Sequence, residues 1–145
     1  MSIEIRLLGP SDAAVLDRRA PEVFDKPISP ELTSEFLNDP RHHLVVGIDE
    51  GVVVGMASGV HYVHPDKPAQ LFINEVGVSS SYRARGIGRA LVERLVRLAE
   101  ELGCTEAWVL TDRDNEAACR MYEAAGAGAP PDDCVMYTFR LRSAD

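Results

Sequence analysis

A short segment that follows an apolar strand combines closely spaced glycines with basic side chains. Residues 78–91 read VSSSYRARGIGRAL, so that Gly86 and Gly88 open a predicted helix among three arginines. The first turn of a helix has backbone N–H groups without partners and carries the positive end of the helix dipole. Glycine lets a phosphate approach the backbone, and arginine adds charge, so the segment predicts an anion cradle. A tight turn with solvated arginines is the alternative, since two common phosphate-binding patterns, G-x-x-x-x-G-K and G-x-G-x-x-G, are absent.

A carboxylate in an apolar strand is the second group that could do chemistry. Glu75 lies between apolar residues in the predicted strand 71–78, where a charge is costly unless it has a partner. Beside a cleft, it could take a proton from an amine directly or through a water molecule. A structural ion pair or an edge position is the alternative. Asn74 would point to the opposite face of a regular strand, so only a bulge could bring both side chains into one site.

Composition limits the classes of protein that the chain can belong to. It has 145 residues with 15 Lys+Arg against 23 Asp+Glu, a net charge of −8 and a sequence pI near 5.0. This balance argues against a nucleic-acid partner and is compatible with a cationic small molecule. No apolar run reaches the roughly 20 residues of a membrane helix. The absence of a signal-peptide pattern and three widely spaced cysteines indicate a reduced, cytoplasmic protein with no membrane partner.

The hydrophobic pattern predicts a single α/β domain over residues 1–145. Strands are predicted at residues 3–7, 43–48, 52–60, 71–78, 108–110 and 134–141. Helices are predicted from Ser11 to before Pro21, at residues 29–37, at residues 87–102 and at residues 115–125. Residues 63–69 form a predicted loop, and Gly77 suggests a bulge or a close backbone approach. The final strand could pair across a homodimer interface or serve a monomer's own sheet.

Two segments resemble the signatures of the GNAT N-acetyltransferase superfamily. Residues 83–88, RARGIG, match its (Q/R)-x-x-G-x-(G/A) pattern in the same strand–loop–helix setting. Residues 115–126, NEAACRMYEAAG, resemble its N-x-x-A-x-x-x-Y-x-x-x-G helix. The order of elements also matches over almost the whole chain. The resemblance implies a mixed, mostly antiparallel sheet that is splayed in the middle and flanked by helices.

The same resemblance implies acetyl-CoA as cosubstrate, with its pyrophosphate on the amides of residues 83 to 90 and its pantetheine arm along the strand that ends at Val78. Catalysis would use Glu75 as general base, Tyr122 as proton donor or hydrogen-bond donor to the leaving thiolate, and the N–H of Val78 to polarise the thioester carbonyl. For Tyr122, simple packing is the alternative, and Asn115 could equally cap its own helix. The implied cofactor-binding residues are Val76, Gly77, Val78, Arg83, Ala84, Arg85, Gly86, Ile87, Gly88, Arg89, Ala90, Asn115, Ala118 and Tyr122.

Within the superfamily, the chain is similar to aminoglycoside 3-N-acetyltransferases of the gentamicin/fortimicin type. The similar segments are residues 62–65 (YVHP), 71–78 (LFINEVGV) and 135–137 (VMY), with Glu75 where that type has aspartate. This implies a small cationic amine as acceptor. A protein lysine or N-terminus as acceptor, and a regulatory domain that binds acyl-CoA without turnover, are the alternatives. Direct transfer in a ternary complex is expected because no Cys/His pair is evident, and no metal is expected because His61 and His64 lack a third ligand.

Overall fold

In the computed structural model, which describes residues 2–128 and 133–142, five strands form one sheet in chain order. The strands are β1 (Glu4–Leu7), β2 (His42–Asp49), β3 (Val52–His64), β4 (Lys67–Val78) and β5 (Glu106–Val109). The helices are α1 (Pro30–Asn38), α2 (Ile87–Glu101) and α3 (Glu116–Ala124), with short 3₁₀ helices at Ala13–Asp17 and Ser80–Tyr82. Strands β1 to β4 pair antiparallel and β4 pairs parallel with β5, which confirms the predicted mixed α/β fold. No helix among the described residues is long and apolar enough to span a membrane.

The two faces of the sheet bury separate cores. Successive side chains of a strand point to opposite faces, so Val45 of β2 packs on the α2 side while its neighbours Leu44 and Val46 pack on the other side. Helix α2 covers its face with an apolar stripe in which Leu91 and Leu95 are fully buried. Helix α1 and the first 3₁₀ helix cover the opposite face.

The sheet opens between β4 and β5. Their parallel ladder joins Gln70–Ile73 to Glu106–Val109 and ends there, while β4 continues to Val78. Residues 74–78 therefore have β3 on one side and a gap on the other. This gap is the predicted splay.

The irregularity of β4 lies earlier in the strand than Gly77. Pairing with β3 shifts register so that Asn74 is the extra residue of a β-bulge, whereas Gly77 itself pairs regularly with Met56. The predicted bulge at Gly77 is therefore wrong in position. The bulge at Asn74 nevertheless brings both side chains into one site, because Asn74 and Glu75 line the same two cavities.

At Gly77 the structure has the close backbone approach instead. A Cβ atom there would lie 2.3 Å from the carbonyl oxygen of Val23. Only glycine lets the segment that contains Val23 lie directly against β4. This contact places the neighbouring acidic side chains of Glu22 and Asp25 at the edge of the gap, where both line the same cleft as Gly77.

Gly77→Ala is expected to lower the free energy of unfolding by about 1–3 kcal/mol, because the new methyl group overlaps a backbone oxygen that cannot rotate away. Denaturant unfolding without ligands measures this change. Gly88→Ala is the matched control, since a Cβ at Gly88 would meet its nearest neighbour, Met121, at 3.6 Å. That variant should be as stable as the parent or slightly more so, since alanine favours helix. Equal stability of the two variants would show that the Val23 contact is not tight.

Two predicted local structures differ from those observed. The loop at residues 63–69 is a two-residue turn, because β3 runs to His64 and β4 starts at Lys67. Pro68 is tolerated in β4 because it precedes the residues that pair with β5, where its missing N–H is not needed. The first helix is a 3₁₀ helix that starts after Asp12 without a side-chain cap, so the predicted cap at Ser11 is wrong. The side chain of Asp12 instead accepts hydrogen bonds from the N–H of Gly9 and from Arg6.

The predicted final strand is also wrong. Residues 134–141 belong to no strand, and the side chains of Tyr137, Phe139 and Leu141 are more than four-fifths exposed. Alternation of apolar residues is necessary for a half-buried strand, but a strand forms only where a neighbouring edge accepts its hydrogen bonds. The sequence pattern cannot show whether such an edge is available.

Candidate active site

A cleft of about 950 Å³ opens where β4 and β5 separate, between the start of α2 and the length of α3. Most of the site residues that were predicted from the sequence line this cleft. They are Glu75, Val76, Gly77, Val78, Arg83, Ala84, Gly86, Ile87, Gly88, Arg89, Asn115, Ala118 and Tyr122. Arg85 and Ala90 are the two nominated residues that do not line it.

The start of α2 is built to present backbone amides to this cleft. The first helical hydrogen bond runs from the N–H of Ala90 to the carbonyl of Gly86 at 3.0 Å, so the amides of residues 87–89 precede the helical ladder. Gly86 has φ +79°, and a Cβ there would meet nothing within 4 Å. A glycine with open space in front of it fits a ligand that lies against the backbone. The amide of Ala90, in contrast, is already used by the helix.

Three arginines surround the start of α2, and each has a partner that restrains it. The Nε of Arg83 donates to the carbonyl of Val78 at 3.1 Å, and Arg89 pairs with Glu93 at 3.1 Å in the next helical turn. The guanidinium of Arg85 lies 5.0 Å from the centre of the Tyr82 ring. Arg83 and Arg89 thus add positive charge to the cleft itself, while Arg85 lies beside it.

The backbone of β4 turns hydrogen-bonding groups into the gap. The N–H of Ser79 donates to the carbonyl of Val54 on β3 at 2.9 Å. Because inward and outward groups alternate along an antiparallel strand, the N–H and carbonyl groups of Val78 and Val76 point away from β3. The bond that Val78 accepts from Arg83 on that side agrees with this direction. An N–H donor at Val78 therefore faces the cleft.

Helix α3 forms the opposite wall. The side chain of Asn115 accepts a hydrogen bond from the N–H of Ala118 at 3.1 Å, so it is a helix cap as well as a cleft residue. Tyr122 packs against the α2 core and still lines the cleft. Burial, together with the nearby Cys119, raises the pKa of its phenol above the usual value. Tyr122 therefore stays protonated at neutral pH and can act as a donor.

Glu75 has an acidic neighbour that the sequence did not single out. The pKa of Glu75 is raised above its usual value, first by burial and then by the neighbouring Asp25, through its charge and through hydrogen bonding. Sequence analysis can count Asp25 among the many acids of the first half of the chain and no more. Gly77 is the residue that could have pointed to Asp25. The close backbone approach at Gly77 holds the segment that contains Asp25 against β4.

A second cavity, of about 600 Å³, extends from Glu75 to beneath α1. It shares four residues with the larger cleft, namely Asp25, Met56, Asn74 and Glu75. The two carboxylates thus lie at the junction of the two cavities. A ligand in each cavity would meet its neighbour at Glu75.

His61 and His64 have different partners, and no group of three metal-ligating side chains is found in the described part of the chain. His61 instead stacks on His43, with 2.7 Å between one nitrogen of each ring. His64 forms a hydrogen bond with Asp66 in the turn between β3 and β4.

The model of the acetyltransferase (GNAT) family matches residues 13–127, which include both cavities. The chain belongs to the GNAT acetyltransferase family. The GNAT chain superposes on an aminoglycoside acetyltransferase from an uncultured soil metagenomic sample, in complex with trehalose, with a TM-score of 0.81, 20% identity and 97% of each chain covered. It superposes on aminoglycoside N-acetyltransferase AAC(6')-Iy in complex with CoA with a TM-score of 0.75, 19% identity and coverage of 97% and 96%. At these identities the structures support the fold.

Two curated relatives of the GNAT chain have different names. An L-2,4-diaminobutyric acid acetyltransferase of Streptomyces coelicolor is 39% identical over 79 residues, which are 54% of this chain and 45% of the relative. The N-alpha-acetyltransferase RimI of Mycobacterium tuberculosis is 33% identical over 104 residues, 72% of this chain and 63% of the relative. The GNAT chain therefore covers about half to two thirds of the length of these relatives, and their names differ in the acceptor.

Proposed function

We propose that the chain transfers the acetyl group of acetyl-CoA to a primary amine of a small cationic acceptor, by direct transfer in a ternary complex. The observation that carries this proposal is the position of Glu75 at the junction of the two cavities. One cavity offers amides and arginines that suit a polyphosphate, and the other is closed by two carboxylates that suit an ammonium group. Family membership supports acetyl-CoA as the donor.

The chain's own groups suit the cosubstrate. The amides of residues 87–89, with Arg83 and Arg89, would hold its pyrophosphate, and the outward backbone groups of Val76 and Val78 would bind its amide arm. Bound acetyl-CoA would supply a thioester that an amine can attack. The N–H of Val78 is the donor that would stabilise negative charge on the thioester oxygen. Tyr122, on the opposite wall, would donate a hydrogen bond to the departing sulfur.

Glu75 would prepare the acceptor. An alkylammonium has a pKa near that of lysine, about 10.4, and must lose a proton before it can act as a nucleophile. The raised pKa of Glu75 makes its carboxylate a better proton acceptor than a glutamate with the usual pKa. Asp25 adds a second negative charge beside it, which favours an ammonium group at the junction.

Aminoglycosides acetylated at the 3-amino group are the first acceptors to assay, because the sequence resembles that type and aminoglycoside acetyltransferases share the fold. An N-terminal amine is the second candidate, since a relative is named as an N-alpha-acetyltransferase. Release of CoA thiol from acetyl-CoA, measured against gentamicin-type aminoglycosides, diamino acids, simple amines and peptides, tests the proposal. Turnover on peptides alone would contradict a small-molecule acceptor, and no amine-dependent release would contradict transfer altogether.

Asp25→Asn is expected to move the acidic limb of the kcat/KM profile to lower pH, because loss of the neighbouring charge lowers the raised pKa of Glu75. Below that pKa the base is protonated and inactive, so the variant should keep relative activity at lower pH. The Michaelis constant for the amine should rise as well, because one negative charge is lost. Asp25→Glu, which keeps the charge, is the control. An unchanged acidic limb would show that another group controls it.

A further inference from the structure

The cavity beneath α1 is lined mainly by apolar side chains. Its buried floor consists of Leu16, Leu37, Leu44 and Met56, each less than a tenth exposed. Phe24 and Phe36 add partly buried rings to the walls. At the rim, Leu32 of α1 is 66% exposed, although exposure of a large apolar side chain has no benefit to the fold. This cavity offers apolar surface to whatever extends beyond the junction.

Two hydroxyl groups of the cavity, those of Ser29 and Thr33, are used by the protein itself. Ser29 caps α1, where its Oγ accepts from the N–H of Leu32 at 3.2 Å and donates to Glu31 at 3.0 Å. The hydroxyl of Thr33 donates to the carbonyl of Ser29 at 2.8 Å. These hydroxyls already have partners, so they offer little to a polyhydroxylated ligand.

Charge in the cavity also fits one ammonium group better than several. The two carboxylates, Asp25 and Glu75, lie together at the junction, and the third charged residue of the lining is Lys26. A second ammonium group placed inside this cavity would lie near Lys26 or against the apolar floor, and both positions are unfavourable.

We propose that the preferred acceptor is a primary amine on an apolar body, with its ammonium group between Asp25 and Glu75 and its alkyl or aryl body beneath α1. This inference rests on the proposed function, since it assigns the acceptor to the same site. It selects an apolar monoamine over a polyhydroxylated polycation. Leu32, at the rim, is then a residue that determines specificity.

A series of acceptors that differ only in the body tests this directly. From propylamine to hexylamine, kcat/KM should rise about fourfold for each added methylene until the cavity is full, as expected for burial of CH₂ groups. The compound 2-(2-aminoethoxy)ethanol has the length of hexylamine but a polar body, and it should be at least about tenfold poorer. Equal kcat/KM along the series, or a higher value for gentamicin-type aminoglycosides than for hexylamine, would overturn the inference.

Leu32→Gln tests the position of the body. It should lower kcat/KM for hexylamine by about threefold to tenfold and leave propylamine nearly unchanged, because only the longer chain reaches the rim. Leu102→Gln is the matched control, as Leu102 is an exposed leucine at the end of α2 that lines neither cavity. Equal loss for both amines, or an equal effect of Leu102→Gln, would show that the body does not lie against Leu32.

Calorimetry with CoA present separates this inference from the proposed function. If hexylamine binds more tightly than its polar counterpart but no acetyl group is transferred, the preference for apolar amines is supported and the proposed acetyl transfer is contradicted. If acetyl transfer occurs with no preference for apolar amines, the proposed function is supported and the preference for apolar amines is contradicted.

Discussion

Replacing Gly88 by aspartate is expected to abolish acetyl-CoA binding, with affinity lowered by about a hundredfold or more. The carboxylate would lie in the first turn of α2, where it would compete with a pyrophosphate for the same open amides and repel its charge. Folding should survive, because an acidic side chain stabilises a helix N-terminus and a Cβ at Gly88 has ordinary contacts. Calorimetric titration with acetyl-CoA measures the loss. Gly88→Ala should bind far better than Gly88→Asp.

Gly86→Asp is expected to have the same effect at the neighbouring position. Gly86 and Gly103 form a natural pair for comparison, because each has φ +79° and open space where a Cβ would lie. Gly103→Asp therefore reproduces the backbone strain at the other end of α2, away from the cleft. If both aspartate variants bind acetyl-CoA with micromolar affinity, the cosubstrate lies elsewhere.

Glu75→Gln is expected to lower turnover by about 10²–10⁴-fold, the usual worth of general acid–base catalysis. Glutamine keeps the shape of the side chain and can still form hydrogen bonds, but it cannot take a proton at neutral pH. Acetyl-CoA affinity should hardly change, because the amides and arginines at the start of α2 are intact. Steady-state kinetics over a range of pH, with a titration of acetyl-CoA, measure both quantities.

Two other outcomes of the Glu75→Gln experiment are informative. A higher Michaelis constant for the amine at unchanged turnover would mean that Glu75 attracts the cation without taking its proton. Unchanged turnover at every pH would remove Glu75 from catalysis. Glu35→Gln is the matched control for the loss of one carboxylate, since Glu35 is exposed on α1 and lines neither cavity.

Local signals in the sequence predict the cofactor side of the site well. The Gly86-to-Gly88 turn, the apolar stripe of α2 and the cap at Asn115 each depend on neighbouring residues in the chain, so their structures follow from composition and spacing. The positions of the five strands along the chain follow from the same signals.

The acceptor side could not be predicted in the same way, because it depends on contacts between distant segments. The interaction of Asp25 with Glu75 joins residues that are separated by α1, β2 and β3. The bulge at Asn74 results from the pairing of β3 with β4, and the sequence does not predict its position. For residues 134–141 the alternating pattern predicted a strand that is not observed. The pattern does not show whether a neighbouring strand is available for pairing.

The contact of Val23 with Gly77 gives the two cavities one shared wall, since Asp25 of the same segment lines both. The segment that contains Asp25 packs directly against β4. The carbonyl oxygen of Val23 lies so close to Gly77 that a methyl group does not fit between them. A change that displaces this segment therefore alters both cavities at once. A substitution that broadens the acceptor cavity by loosening this segment would accordingly weaken the cosubstrate too, without touching any group that contacts it.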